Sequence, residues 1–137
     1  LLYFGSVMQA DPASRAFVSA LLAEKRPETL TVYDPNLRFP LWASKAEAIA
    51  EVGATFAHAD VLKLSDDEIG LFGDGSLASE SATPPSADAV AGMARRLMER
   101  QPQLSMIVVT LGADGSLAVN RAGRAQGLPF RVPAVEM

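Results

Sequence analysis

The chain has 137 residues, of which 49% are hydrophobic and 20% charged, with a net charge of −4 at pH 7. This length suits one domain or part of one. The acidic balance argues against a nucleic-acid or anionic-membrane partner, because such surfaces need clustered Lys and Arg. The absence of cysteine excludes disulfides and thiolate metal sites, and it suits a reducing cytoplasm.

Strand-like and helical segments alternate along most of the chain. The first helix is predicted to start at Asp11-Pro12, an N-cap followed by a proline, and to bury Ala16, Phe17, Ala20, Leu21 and Ala23. A short helix opens at Ser65. The first helix is predicted over residues 11–26, and two further helices over 44–58 and 86–100. The predicted strands are residues 1–9, which are expected to be buried, 30–34, 59–64 and 105–110.

This alternation implies right-handed crossovers and a mostly parallel sheet. Gly115, Gly123 and Gly127 punctuate the segment that follows, which predicts a hairpin. We therefore expect an α/β fold with three layers, in which helices flank a mostly parallel sheet and an antiparallel hairpin lies near the C-terminus.

The first candidate functional segment is residues 34–38, DPNLR, directly after a predicted strand. Ligands of α/β proteins bind at the carboxyl ends of strands, which is where this segment is expected. Arg38 offers a planar fork for phosphate or sugar oxygens, and Asn36 offers a donor and an acceptor. The alternative is an Asx-type turn with a solvated Arg38.

The second candidate is the segment 63–68, KLSDDE. Ser65 and Glu68 match a capping box at a helix N-terminus, which by itself explains the acidic residues. Clustered carboxylates could alternatively hold Mg²⁺ through water. Lys63, at a strand end, could reach a phosphate or extend into solvent.

The third candidate is the segment 110–115, TLGADG. A strand ending in Thr110 followed by Gly112 and Gly115 lets backbone N–H groups approach a phosphate, although a plain turn would use the same residues. His58, near a predicted helix end, is interpreted as structural. Trp42 could line a pocket, or pack on the nearest helix as loop tryptophans usually do.

In order and spacing, these three segments together resemble the ribokinase-type sugar kinases, or PfkB carbohydrate kinase family, and most of all its fructokinase branch. The resemblance implies a ribokinase-like fold, with ATP as co-substrate and Mg²⁺ as cofactor. It places Asn36, Arg38 and Lys63 near sugar and phosphate, and links Glu68 to Mg²⁺ through water. Thr110, Gly112 and Gly115 would hold the nucleotide, and Ser65 stands where many relatives have Asn.

The resemblance also implies that residues 1–137 are an internal part of a kinase core. The family's sugar-binding and lid portion would precede this part, and its Gly-Ala-Gly-Asp catalytic element would follow Met137. The isolated chain is then expected to be inactive and poorly packed. The intact parent would phosphorylate a small sugar, most of all fructose, with ketodeoxygluconate or a nucleoside as alternative acceptors. A different alternative is that the parent is a catalytically silent binding protein. It is expected in the cytoplasm, with homodimer formation left open.

Overall fold

The computed structural model describes residues 1–73 and 85–121 and the backbone of residues 125 and 126. In chain order the strands are β1 (Leu2–Phe4), β2 (Thr31–Tyr33), β3 (Val61–Ser65), β4 (Met106–Thr110), β5 (Ser116–Asn120) and β6 (Ala125–Gln126). The helices are α1 (Val7–Ala10), α2 (Pro12–Ala23), α3 (Lys45–Thr55), α4 (Asp66–Gly73) and α5 (Ala87–Arg100). Single 3₁₀ turns cover Phe39–Leu41, Phe56–His58 and Gly112–Asp114.

The predicted helix starts are confirmed by side-chain caps. Asp11 accepts a hydrogen bond from the Ser14 amide at the start of α2. Ser44 caps α3 in the same way by accepting from the amide of residue 47, and Ser86 caps α5. Each cap satisfies a backbone N–H that the helix leaves without an intrahelical acceptor.

The described strands form one sheet in the order β1-β2-β3-β4-β5-β6. The pairs from β1 to β4 are parallel, and β5 and β6 add antiparallel pairs. The mostly parallel α/β sheet with flanking helices and an antiparallel hairpin is therefore confirmed. The expected contributions of Gly123 and Gly127 fall outside the described residues.

One face of the sheet forms the core with the helices. Buried and half-buried residues alternate along β3, β4 and β5, and the buried set packs with α3, α4 and α5. Successive parallel strands advance in one direction, so right-handed crossovers place their helices on the same face. Among the described residues two of the three predicted layers are therefore present, the sheet and one helical layer, and the opposite sheet face has no helix over it. That face includes Tyr3, Val32, Lys63 and Thr110.

Two details of the N-terminal region differ from prediction. The strand expected over residues 1–9 is limited to Leu2–Phe4, and its residues are half-buried or exposed. A Cβ on Gly5 would lie 2.8 Å from the Asp34 carbonyl oxygen, so this glycine allows the chain to pass close to the next strand end. Beyond it the chain turns into α1.

The predicted buried face of α2 is wrong. All five of its residues are exposed, with Phe17 62% accessible, whereas Val18 and Leu22 are buried. These two residues are four apart and form a narrow stripe, because α2 lies at the edge of the helical layer beside β1 and β2. The predicted face of α5 is confirmed, since Val90, Ala94, Leu97 and Met98 are all buried.

Within the described ranges, none of the helices combines the length and apolar character needed to cross a bilayer.

Candidate functional site

A cavity of about 440 Å³ opens where β2, β3 and β4 end. This volume falls in the range of small-molecule sites, and the carboxyl edge of a parallel sheet is where α/β proteins bind ligands. Its lining is mainly polar and includes two acids from the start of α4. The lining residues are Asp34, Asn36, Leu37, Phe39, Lys63, Ser65, Asp67, Glu68, Leu71 and Thr110.

The three candidate segments therefore meet at one cavity. Asn36, Lys63, Glu68 and Thr110 all line it. Arg38 is exposed on the same loop as Asn36 but is not among the lining residues. Gly112 and Gly115 likewise lie outside the lining, in the turn that follows Thr110.

The loop after β2 has an unusual backbone. Asn36 is the only non-glycine residue with a positive φ in the described segments, at 45°. This left-handed conformation is unfavourable for most side chains and tolerated best by Asn and Asp. The loop is also attached to the end of β1, because the Asp34 amide donates to the Phe4 carbonyl at 3.0 Å and the Ser6 amide donates to the Pro35 carbonyl at 2.9 Å.

Asp34 holds the ammonium group of Lys63 at the cavity. The Lys63 Nζ donates to Asp34 Oδ2 at 2.8 Å, and the Tyr3 hydroxyl donates to the same oxygen, also at 2.8 Å. The hydrogen bond to Asp34 raises the pKa of Lys63 above its ordinary value, and the same interaction raises the pKa of Tyr3. Lys63 is therefore a cation at neutral pH.

Tyr3 was not predicted at the site, and Asp34 was included only as part of the segment 34–38, without a role of its own. Tyr33 pairs with Leu62, so the next residues along the two strands, Asp34 and Lys63, lie side by side. Phe4 pairs with Tyr33, so Gly5 is opposite Asp34, and Tyr3, two residues before Gly5, lies on the same sheet face. Side-chain alternation along the strands could have revealed this arrangement once the register was known.

Glu68 forms the predicted capping box. Its Oε2 accepts from the Ser65 amide at 2.8 Å, while Ser65 Oγ accepts from the Glu68 amide at 3.2 Å. Its other oxygen, Oε1, accepts from the Leu37 amide at 2.7 Å. The carboxylate thus connects the start of α4 to the loop after β2.

The acids at this cavity do not form a direct Mg²⁺ coordination set. Across residues 1–73 and 85–121, no three His, Cys, Asp or Glu side chains are arranged to hold a metal. Both Glu68 oxygens already accept backbone hydrogen bonds. A link from Glu68 to Mg²⁺ through water stays a prediction.

The turn after β4 is open and depends on glycine. Gly112 has a φ of 58° and Gly115 a φ of 92° with ψ −133°, and the Leu111 amide donates to the Gly115 carbonyl at 2.7 Å. A Cβ added to Gly112 would meet nothing within 4 Å. The turn therefore leaves space beside its backbone, as close approach of a phosphate requires.

His58 and Trp42 lie away from this cavity. His58 is exposed and borders a smaller cavity of about 120 Å³ between α2 and α3. Trp42 is buried in the core, with the Arg15 guanidinium 5.3 Å from its ring centre. Packing rather than ligand contact thus accounts for Trp42.

Comparison with known proteins identifies relatives over nearly the whole chain. The family model described as "pfkB family carbohydrate kinase" matches residues 1–136. Probable fructokinase-4 from Arabidopsis thaliana is 31% identical over 137 residues, which cover 99% of this chain and 38% of that protein. Fructokinase-2 from Solanum lycopersicum is 32% identical over 117 residues, covering 84% of this chain and 31% of that protein.

Solved structures with the same fold include two kinases. A double mutant of fructokinase from Vibrio cholerae O395, described as bound to fructose, ADP and potassium, superposes with a TM-score of 0.66 at 27% identity. The superposed region covers 87% of this chain and 34% of the Vibrio cholerae chain. Aminoimidazole riboside kinase from Salmonella enterica superposes with a TM-score of 0.65 at 24% identity, and the match covers 88% of this chain and 36% of the kinase. At this level of identity the match supports the fold alone. The chain thus spans only about a third of the length of these relatives, between 31% and 38%.

Proposed function

This chain belongs to the pfkB family of carbohydrate kinases, and from that premise we propose that the intact protein transfers the γ-phosphoryl group of ATP to a hydroxyl of a small sugar. Fructose is the proposed acceptor, because the curated relatives are named fructokinases and the Vibrio cholerae structure is described with fructose and ADP. Ketodeoxygluconate and a nucleoside are alternative acceptors within the same chemistry.

The placement of Lys63 carries the proposal. Its ammonium group is held by Asp34 at a cavity that Asn36 and Thr110 also line. Phosphoryl transfer depends on positioning and on stabilising negative charge at the transferred group, and a fixed cation at a strand end supplies that stabilisation. The same cavity has the size of a small-molecule site.

This proposal also gives a role to Asn36, Arg38, Thr110 and the glycine turn after Thr110. Asn36 would hydrogen-bond the sugar or the transferred phosphate, and the exposed guanidinium of Arg38 would approach from the cavity edge. Thr110 and the glycine turn after it would hold the nucleotide. Mg²⁺ would arrive bound to ATP and offset phosphate charge.

The general base is proposed to lie outside this chain. The family resemblance places it in a Gly-Ala-Gly-Asp element after Met137, so residues 1–137 alone are expected to be inactive. The lack of cysteine suits a cytoplasmic enzyme. A homodimer is a possible arrangement of the intact protein, and its mass in solution would test it.

The decisive experiment uses the full-length protein. ADP release is measured with fructose, ribose, ketodeoxygluconate and adenosine, each against a control without acceptor. We expect sugar-dependent turnover that is highest with fructose. Turnover with another acceptor would correct the substrate, and ATP binding without turnover on any acceptor would favour a catalytically silent protein.

A further inference from the structure

Glu68 is a buried acid with two backbone partners from different parts of the fold. Its side chain lies in the core region at 8% exposure, and its two oxygens accept from the amides of Ser65 and Leu37. Hydrogen bonds from N–H groups to a carboxylate are short and strong, and burial without them would be costly. The capping box explains only one of these two bonds.

The second bond reaches the residue that follows Asn36. Asn36 adopts a left-handed backbone, and its exposed side chain has no hydrogen-bond partner among the described residues. An L-residue in this conformation is disfavoured by about 1 kcal/mol or more, so contacts nearby must select it. Two hydrogen bonds flank Asn36: the Leu37 amide donates to Glu68 at 2.7 Å, and the Pro35 carbonyl accepts from the Ser6 amide at 2.9 Å.

The direct contacts of Glu68 are therefore with the protein backbone. Both carboxylate oxygens accept backbone hydrogen bonds and no metal-binding cluster surrounds them in the described ranges, so any link of Glu68 to Mg²⁺ through water is additional to these contacts. Lys63, the cation at this cavity, pairs with Asp34 and not with Glu68.

We propose that Glu68 is a positioning residue that fixes the loop 34–38 by binding the Leu37 amide. It connects the N-terminus of α4 to this loop and so determines where Asn36 and Arg38 stand relative to Lys63. This effect on the loop does not depend on a link between Glu68 and Mg²⁺.

Two variants separate the reach of the side chain from its charge. Glu68→Gln keeps the length but replaces one accepting oxygen with an NH₂ group, which would oppose one of the two amide donors. Glu68→Asp keeps the carboxylate but is one methylene shorter, so it cannot serve both amides. Asp66→Asn is the matched control, because it removes a charge from the same helix terminus at a residue that does not line the cavity.

The first measurement is hydrogen exchange of the Leu37 amide in the full-length protein without ligands. Glu68→Gln and Glu68→Asp should each accelerate this exchange by about tenfold or more, the scale expected for losing a hydrogen bond to a charged group. Asp66→Asn should leave it within about twofold. Unchanged Leu37 exchange in both Glu68 variants would overturn the proposal, whatever their activity.

The second measurement rests on the proposed kinase function. Both Glu68 variants should lower kcat/KM for the sugar by about tenfold or more at saturating Mg²⁺. A loss of activity that excess Mg²⁺ restores would overturn the proposal in favour of a metal-linked role. A wild-type protein without kinase activity would refute the proposed function, and the exchange result alone would then decide the role of Glu68.

Discussion

The ammonium nitrogen of Lys63 lies 2.8 Å from Asp34 Oδ2, and the Tyr3 hydroxyl donates to that same oxygen. The three side chains come from three adjacent parallel strands or their ends, on the sheet face without a helical layer in the described part of the chain. Lys63 is 42% exposed and Asp34 only 12% exposed, so the carboxylate is the fixed partner and the ammonium group faces the cavity.

Replacing Lys63 by Met should impair phosphoryl transfer while preserving the fold. Loss of one group that stabilises charge in the transition state typically lowers kcat by about 100-fold or more. The control is Arg95→Gln, which removes a positive charge from an exposed position on α5. Steady-state kinetics of the full-length protein would test this, and equal rates for the two variants would remove Lys63 from the proposed mechanism.

The Lys63–Asp34 pair should stabilise the protein at neutral pH and lose its effect as the pH rises into the alkaline range. The hydrogen bond to Asp34 raises the pKa of Lys63 above its ordinary 10.5. A group whose pKa is higher in the folded than in the unfolded protein stabilises the fold fully at pH values below its unfolded-state pKa. This stabilisation is lost as the pH rises through its folded-state pKa. Tyr3 behaves likewise, since its pKa is raised above 10.0.

Thermal melting between pH 7 and 11 can measure this contribution. For a pair this exposed we expect about 1 kcal/mol or less. Asp34→Asn should lower the stability at pH 7 and reduce the loss seen above pH 10. If the wild type and Asp34→Asn have parallel pH profiles up to pH 11, the pair makes no net contribution.

Gly5→Ala should destabilise the protein because the new methyl group has no room. Its Cβ would lie 2.8 Å from the Asp34 carbonyl oxygen, which is backbone and cannot rotate away. Overpacking of this kind costs about 1–3 kcal/mol. Gly70→Ala is the control, and it should stabilise the protein. Nothing lies within 4 Å of a Cβ added at Gly70, and alanine favours a helix over glycine by about 0.5–1 kcal/mol.

Urea unfolding of both glycine variants in the full-length protein would give the two free-energy changes. We expect them to have opposite signs. A stabilising Gly5→Ala change would mean that the end of β1 does not pass this close to the loop after β2.

Tyr33→Phe should cost more stability than the same change at Tyr3. The fully buried Tyr33 hydroxyl donates to Gln9 Oε1, and Gln9 Nε2 donates to Thr55 Oγ1 at 2.8 Å. Removing the hydroxyl leaves a buried amide oxygen without its donor, at a cost of about 1–3 kcal/mol. At Tyr3, water can replace the exposed hydroxyl, so we expect a smaller loss in urea unfolding; equal losses would contradict the buried chain of hydrogen bonds.

The sequence predicted the features that depend on local chemistry. Asp11 caps α2 as its N-cap position predicted, and the Ser65–Glu68 box forms. The meeting of three strand ends followed from the parallel α/β pattern, because that pattern places all carboxyl ends on one edge.

What the sequence could not predict depends on contacts between distant segments. The buried side of α2 is set by its neighbours, which leave Phe17 exposed and cover Val18. The early end of β1 depends on the approach of Gly5 to Asp34, and the bond from Glu68 to Leu37 spans 31 positions. None of these contacts leaves a periodic signal in the chain, so only coordinates reveal them.

The turn after β4 provides the test of the nucleotide side of the proposal. Gly115 has backbone angles that side chains other than hydrogen do not adopt readily, and its carbonyl closes the turn onto the Leu111 amide. Gly115→Ala should therefore distort the turn and weaken ATP binding by the full-length protein by about tenfold, the equivalent of 1–2 kcal/mol of strain. Gly112→Ala should have a smaller effect, because its φ of 58° is the milder left-handed region and its Cβ meets no neighbouring atom. Calorimetric titration with ATP would rank the two variants, and wild-type affinity in both would place the nucleotide away from this turn.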